Sequence, residues 1–304
     1  MPMYKPLSRT IYLSLFITWV GVFASSIYYI KAAPAATTIP TPAAVSTFTP
    51  VTTVPPTPTT IEGVATIQTI PETGDTGWSI LQPGLERRLI KIYNGENQPV
   101  ESVYVWRLDQ KHFRLDVAFD ATPKTLESWQ KETNASMVVD GGYYSIENER
   151  YFPDGLTIIN GQASGRSFNG HGGMLAIDES GAELRWLVER PYQPGERLQA
   201  ALQAFPILVK PGGQLGFGPE RENHVRARRT VIAQDKEGRI LFIVAPQGHF
   251  TLHQLSVYLT ESDLNLDIAV NLDGGGSTGI LVANPREIIP PARPLPFVIL
   301  AYPR

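Results

Sequence analysis

The stretch Ile268-Ala269-Val270-Asn271-Leu272-Asp273-Gly274-Gly275-Gly276-Ser277-Thr278 decides how this chain is read. It opens as a short apolar run of the kind that forms a buried strand. Side chains on a strand alternate between its faces, so Asn271 and Asp273 emerge on the same side and can point together into a pocket. Three glycines follow at once. They permit backbone conformations closed to other residues and let the chain approach a ligand closely. The amides of Gly274, Gly275 and Gly276, with Ser277 beside them, can form an anion-binding nest. The alternative is a tight hairpin turn. The motif is not a P-loop, because no lysine follows the glycines.

The same arrangement recurs upstream. Met137-Val138-Val139 is an apolar run that ends in Asp140, followed by Gly141-Gly142-Tyr143-Tyr144. Pro153-Asp154-Gly155 is turn chemistry, and Asn160-Gly161 is a hairpin signal. Phe113, Leu115, Val117 and Phe119 alternate with polar residues or alanine at the period of a half-buried strand. Further short apolar runs lie at Leu156–Ile159, Met174–Ile177, Ile207–Val209, Thr230–Ala233, Ile240–Val244, Ile280–Val282 and Phe297–Ala301. Two helices interrupt them. One covers Leu126 to Thr133. The other is capped by Thr251 with Gln254, carries Leu252, Leu255 and Leu259 on one face, and ends near Asp263. Strands outnumber helices without alternating with them. The expected class is therefore α+β with mixed β-sheets and a few helices.

Residues 1–31 read differently. Ile11 to Ile30 is a charge-free run long enough to span a bilayer, with Lys5 and Arg9 before it and Lys31 after. This predicts one transmembrane anchor with the remainder outside the cytoplasm; a cleaved signal peptide exports the chain equally. Residues 32–71 contain eight prolines, twelve threonines and one charged residue, Glu62, so they read as a disordered stalk. That leaves 72–304 as the globular domain. The net charge of −3 offers no field for nucleic acid, and the absence of cysteine excludes disulfides and thiolate chemistry.

Other candidates are less specific. Arg226, Arg228 and Arg229 enter the strand beginning at Thr230, and a guanidinium suits a phosphate. His249 and His253 are four apart, but the glutamate of H-E-x-x-H is missing, so no metal and no other cofactor is assigned. His171 is an acid, a base, a phosphate contact or only a loop histidine.

Taken in order, Asp140–Tyr144, Pro153–Leu156 with Asn160-Gly161, Phe205–Val209, Arg228–Thr230, the leucine helix and Asn271–Ser277 resemble the phosphodiester glycosidase family. The resemblance spans roughly Glu86 to Pro303. The family usually has asparagine where this chain has Asp140, so an acid is added to the presumed site. It also usually has a glycine-rich turn where this chain has Gln247–Phe250. The resemblance implies hydrolysis of a sugar-1-phosphodiester, with a phosphoglycan or exopolysaccharide as substrate. Asp273 would then be base or nucleophile, and Asp140 the second carboxylate. Arg229 and the Gly274–Gly276 amides would hold phosphate, Asn271 would orient, and His171 would be an auxiliary acid. The rival reading is a tethered, non-catalytic glycan-binding module, with Tyr143, Tyr144 and Phe168 stacking on sugars.

Overall fold

The computed structural model describes residues 74–168 and 170–304. The anchor and the stalk read from the sequence lie outside the described residues. Among those described, no helix is long and apolar enough to cross a membrane.

Three sheets carry the domain. The largest has eight strands, in the order Ser79–Gln82, Leu85–Tyr93, Pro99–Leu108, Ile240–Ala245, Arg229–Asp235, Leu266–Asn271, Ile207–Lys210 and Gln214–Leu215. A second, of five strands, centres on Met137–Asp140 between Ile280–Val282 and Leu295–Pro303. A third, also of five strands, centres on Ala200–Ala204 between Gly173–Ile177 and Thr157–Ile159. A two-stranded hairpin, Tyr144–Glu147 with Arg150–Pro153, completes the set. The α+β class holds, weighted heavily toward β. The sheets are antiparallel wherever strands pair among the described residues. Parallel pairing needs a long crossover, usually helical, and the described residues contain only two α-helices.

Period-two alternation sorts the strands into layers. Phe242, Ile232, Val270, Val139, Ile299 and Leu175 share one core cluster to which all three sheets contribute. Their strand neighbours turn the other way. Leu241, Val231 and Ala269 pack with Leu255 and Leu259 of the helix Leu252–Glu261. Val138, Leu281 and Val298 pack with Leu126 and Trp129 of the helix Leu126–Thr133. The central strands are buried on both faces, which is why they read as unbroken apolar runs.

Local chemistry agrees with the boundaries. Thr125 caps the first helix by accepting from Ser128 N, and Trp129 Nε1 donates to Leu295 O at 2.8 Å. The second helix has the full capping box of Thr251 and Gln254 and ends at Glu261, two residues before the expected Asp263. Asn160 and Gly161 take positive φ of 50° and 74° between Thr157–Ile159 and Gln162–Ser164, as a tight hairpin requires. Leu85–Tyr93 and Pro99–Leu108 were not anticipated, because their charges mask the pattern. Those charges pair instead: Arg107 meets Glu86 at 2.7 Å, and Arg88 meets Asp263 at 3.0 Å.

One buried carboxylate holds the turn that feeds the second helix. Glu101 is 1% exposed. It accepts from Gln247 N at 2.9 Å, His249 N at 3.0 Å and Ser102 N at 3.0 Å. Removing it strands the Gln247 and His249 amides, whereas Ser102 N keeps Gln247 Oε1 at 3.0 Å. Glu101→Ala is expected to cost about 2–4 kcal/mol in urea unfolding, since each unpaired buried donor carries a desolvation penalty. A loss under about 0.5 kcal/mol, the size of an ordinary surface change, would show that water replaces the clamp without cost.

Candidate active site

The site forms where the large sheet meets the Met137–Asp140 sheet. Asp273 N donates to Gly141 O at 3.1 Å, and Asp140 N donates to Gly279 O at 3.0 Å. These bonds lace the two acid–glycine segments together although they lie far apart along the chain. Leu272 N donates to Thr230 O at 2.9 Å, which adds the strand Arg229–Asp235 to the junction.

The two acids are not equivalent. Asp140 is fully buried. One carboxyl oxygen accepts from Gly279 N at 3.3 Å, while Oδ2 has no hydrogen-bond partner among the described residues. Burial holds this carboxyl well above the usual range. The Thr230 hydroxyl pulls it back, though its geometry falls short of a hydrogen bond, and Asp273 pushes it further up. A group with no exposed surface does not touch substrate in this conformation. Asp140 braces the seam through its backbone bond to Gly279.

Asp273 is only partly buried. Burial raises its pKa, against hydrogen bonds from the Ser277 hydroxyl and the Gly274 amide, with Arg293 lowering it and Asp154 raising it. The Gly274 bond to Oδ1 is 2.8 Å. Asn271 and Tyr143 lie beside it. Asn271 Nδ2 donates to Tyr143 Oη at 2.6 Å, and Tyr143 Oη donates to Phe205 O at 2.7 Å. This relay uses the phenolic proton as a donor, so Tyr143 stands as a neutral phenol. Burial raises its pKa first, with Asp273 adding to the rise and the Asn271 hydrogen bond and Arg229 opposing it. Asp140, Asp273 and Arg229 all act electrostatically on Tyr143.

The cations divide in an unexpected way. Arg229 is 8% exposed, and its Nε and Nη2 donate to Phe250 O and Val225 O at 3.3 and 2.8 Å. Arg228 Nη2 donates to Thr278 O and Pro290 O at 3.0 and 2.8 Å. Arg229 is thus largely committed to backbone carbonyls, whereas Arg228 is engaged through Nη2 alone and its Nε is buried without a partner among the described residues. Arg293 is exposed and lies against Gly276: a Cβ built on that glycine would sit 2.4 Å from Nη2 and 2.6 Å from Nε. The glycine nest is also partly spent, because Gly274 N is bonded to Asp273 and Gly275 N to Arg228 O.

On the far side of Tyr143 is an aromatic shelf. Phe205 stacks on Tyr143 with centroids 4.6 Å apart, Phe168 meets Phe205 edge-on at 5.4 Å, and His171 lies 5.2 Å from Phe168. Gln203 anchors it by accepting from Phe168 N at 2.7 Å. Phe205 and His171 are exposed, so the shelf faces solvent beside Asn271. His171 belongs to this shelf, and no contact places it at Asp273. A cleft of about 1080 Å³ lies elsewhere, between Arg114, Asp178 and Arg197. It mixes both signs of charge and contains none of the acid–glycine residues.

A model of the phosphodiester glycosidase family matches residues 133–302, which span the whole of this seam. The chain belongs to the phosphodiester glycosidase family. Among solved structures it is similar to the catalytic domain of zebrafish N-acetylglucosamine-1-phosphodiester alpha-N-acetylglucosaminidase, auto-inhibited by its pro-peptide. The identity is 17%, 73% of this chain and 85% of that chain are covered, and the TM-score is 0.58. It is similar also to a hypothetical protein from Synechocystis at 12% identity, covering 73% of this chain and 63% of that one, with a TM-score of 0.51. These likenesses concern the fold. A search of curated proteins gives no match.

Sequence reasoning gave no site role to four residues of this phosphodiester glycosidase domain, Arg293, Asp154, Phe205 and Gln203, although Asp154 and Phe205 stand in motifs that carry the family resemblance. Asp154 was legible only as a turn residue, yet it acts electrostatically on Asp273. Arg293 sits in Pro290-Pro291-Ala292-Arg293-Pro294, which carries no motif.

The buried acid has a consequence for stability. Its folded pKa is raised, so the proton on Asp140 favours the folded state fully below about pH 3.9, and this contribution is lost as pH rises through the raised value. Asp140→Asn keeps the shape and removes the titration. Between about pH 4 and about pH 8, the melting temperature should fall further for the natural protein than for the asparagine variant. Parallel curves would mean that Asp140 is not neutral in the folded protein at low pH.

Proposed function

We propose that this protein hydrolyses a sugar-1-phosphodiester of a phosphoglycan or exopolysaccharide, with Asp273 acting at the anomeric carbon. The observation that carries this reading is Asp273 itself. It is a half-buried carboxylate with a raised pKa, fixed by the Gly141 bond and flanked by Tyr143, Asp154 and Arg293. A phosphate monoester leaves with its negative charge already well spread, so the departing oxygen needs little protonation. The enzyme must supply a base or nucleophile and stabilise an oxocarbenium-like transition state. Water adds its oxygen to the anomeric carbon, and the bond to the phosphate oxygen breaks with its electron pair. In a one-step route Asp273 takes the proton from water. In a two-step route Asp273 bonds the sugar first. The anomeric configuration of the first-formed sugar, read by NMR, separates the two.

Asn271 and Tyr143 position this acid and shape the wall beside it. The aromatic shelf of Phe205, Phe168 and His171 suits the apolar face of a sugar ring. That shelf also supports the rival reading of a glycan-binding module without turnover. The charge-free run Ile11–Ile30, with Lys5 and Arg9 ahead of it, supports placing the domain on the extracytoplasmic side, tethered to the membrane.

Asp273→Asn should lower kcat/KM on a GlcNAc-1-phosphodiester by about 10²–10⁴-fold, the usual contribution of a general base. Undiminished turnover in that variant would remove Asp273 from the chemistry. Glycan binding with no turnover by the natural protein would favour the binding module. Because Asp273 must be ionised to act, the acid limb of the kcat/KM profile should lie above the ordinary aspartate value of about 3.9. A limb at or below that value would assign it to another group.

A further inference from the structure

We propose that Arg293, rather than Arg229, recognises the phosphate of the substrate, with Gly276 as the residue that seats its guanidinium. The proposal rests on the phosphodiester reading above and adds the residue that selects for charge.

Three observations converge. Arg293 is a cation that lowers the pKa of Asp273. Its donors are free of the carbonyl partners that occupy Arg228 and Arg229, and no described residue hydrogen-bonds its side chain. Its guanidinium rests on Gly276, within 2.9 Å of where a Cβ would stand, so a side chain on this residue would take the same space.

The support beneath it is rigid. Ala292 N donates to Gly276 O at 2.8 Å, and the Pro291 ring packs where a Cβ on Gly279 would be, 2.8 Å away. Prolines on both sides restrict the backbone that presents Arg293. A planar guanidinium held in this way can meet two phosphate oxygens at once.

The chemistry needs a cation here. Asp273 and Asp154 repel an anionic substrate. When the sugar–oxygen bond breaks, the electron pair passes to the phosphate, whose charge grows by one. A guanidinium beside Asp273 offsets the repulsion in the bound substrate and stabilises the added charge as it develops. Arg229 offers less, because its Nε and Nη2 would have to give up Phe250 O and Val225 O.

The test uses the full chain, a GlcNAc-1-phosphodiester as substrate and inorganic phosphate as inhibitor. Arg293→Gln is expected to lower kcat/KM by about 10- to 100-fold and to weaken phosphate inhibition by a similar factor, the range for a hydrogen bond to a charged group. Arg293→Lys keeps the charge without the fork and should recover only part of the loss. Gly276→Ala is the second probe. The obstructing atoms belong to the mobile end of Arg293, so the loop should fold while the guanidinium is displaced, and the variant should reproduce the loss with Arg293 still present. Arg197→Gln, in the distant cleft, controls for net charge and should match the natural protein.

If the natural protein cleaves the phosphodiester and Arg293→Gln matches it in both measurements, Arg293 does not read phosphate and the hydrolase assignment stands. If the natural protein cleaves no sugar-1-phosphodiester, the hydrolase assignment falls. Phosphate binding followed by thermal shift then decides Arg293: binding lost in Arg293→Gln upholds its role, and binding unchanged or absent in the natural protein overturns it.

Discussion

The bond from Asp273 N to Gly141 O is the constraint on which the site depends. It joins the ends of two strands that belong to different sheets. Beyond their last paired residues these strands run out into glycine, and their exposed backbone groups need partners. They find them in each other. The sheet interface thus ends in a seam of backbone hydrogen bonds, and the side chains on either side of the seam inherit its rigidity. A carboxylate placed there is held within narrow limits, as chemistry at an anomeric carbon requires.

The seam also explains why two similar acids take different roles. Asp140 closes a strand whose neighbours on both sides are paired, so its side chain enters the interior and is denied water. Asp273 lies two residues beyond its strand, in a loop where it stays partly exposed. Desolvation raises both, but only Asp273 keeps a surface from which to act. Thr230 and Thr278 are buried near Asp140 with hydroxyl oxygens unpaired among the described residues. Such groups are costly, and they fall where sheets converge on a functional site rather than in the apolar layers above and below.

Two kinds of surface adjoin the loop that carries Asp273. The Arg293 guanidinium rests on Gly276, and Tyr143 stacks with Phe205 in a shelf completed by Phe168 and His171. A charged group and a flat apolar face suit a ligand whose phosphate and sugar ring are joined at the reacting carbon. The Asn271–Tyr143–Phe205 relay keeps the aromatic wall in place.

What the sequence determined by itself was local. Apolar periodicity located the strands at Met137–Asp140, Ile240–Ala245 and Leu266–Asn271, because burial on two faces leaves an unbroken run. The Thr251–Gln254 capping box and the Asn160-Gly161 turn were legible because each is settled by neighbours a few residues apart. The order of the acid–glycine motifs was enough to indicate the family. Tertiary structure alone decided the rest. It turned the donors of Arg229 toward Phe250 and Val225, buried Asp140 while leaving Asp273 open, and brought Arg293 onto Gly276. Exposure, desolvation and the company a charge keeps are set by segments remote along the chain. No local pattern encodes which of several arginines will find its donors already occupied.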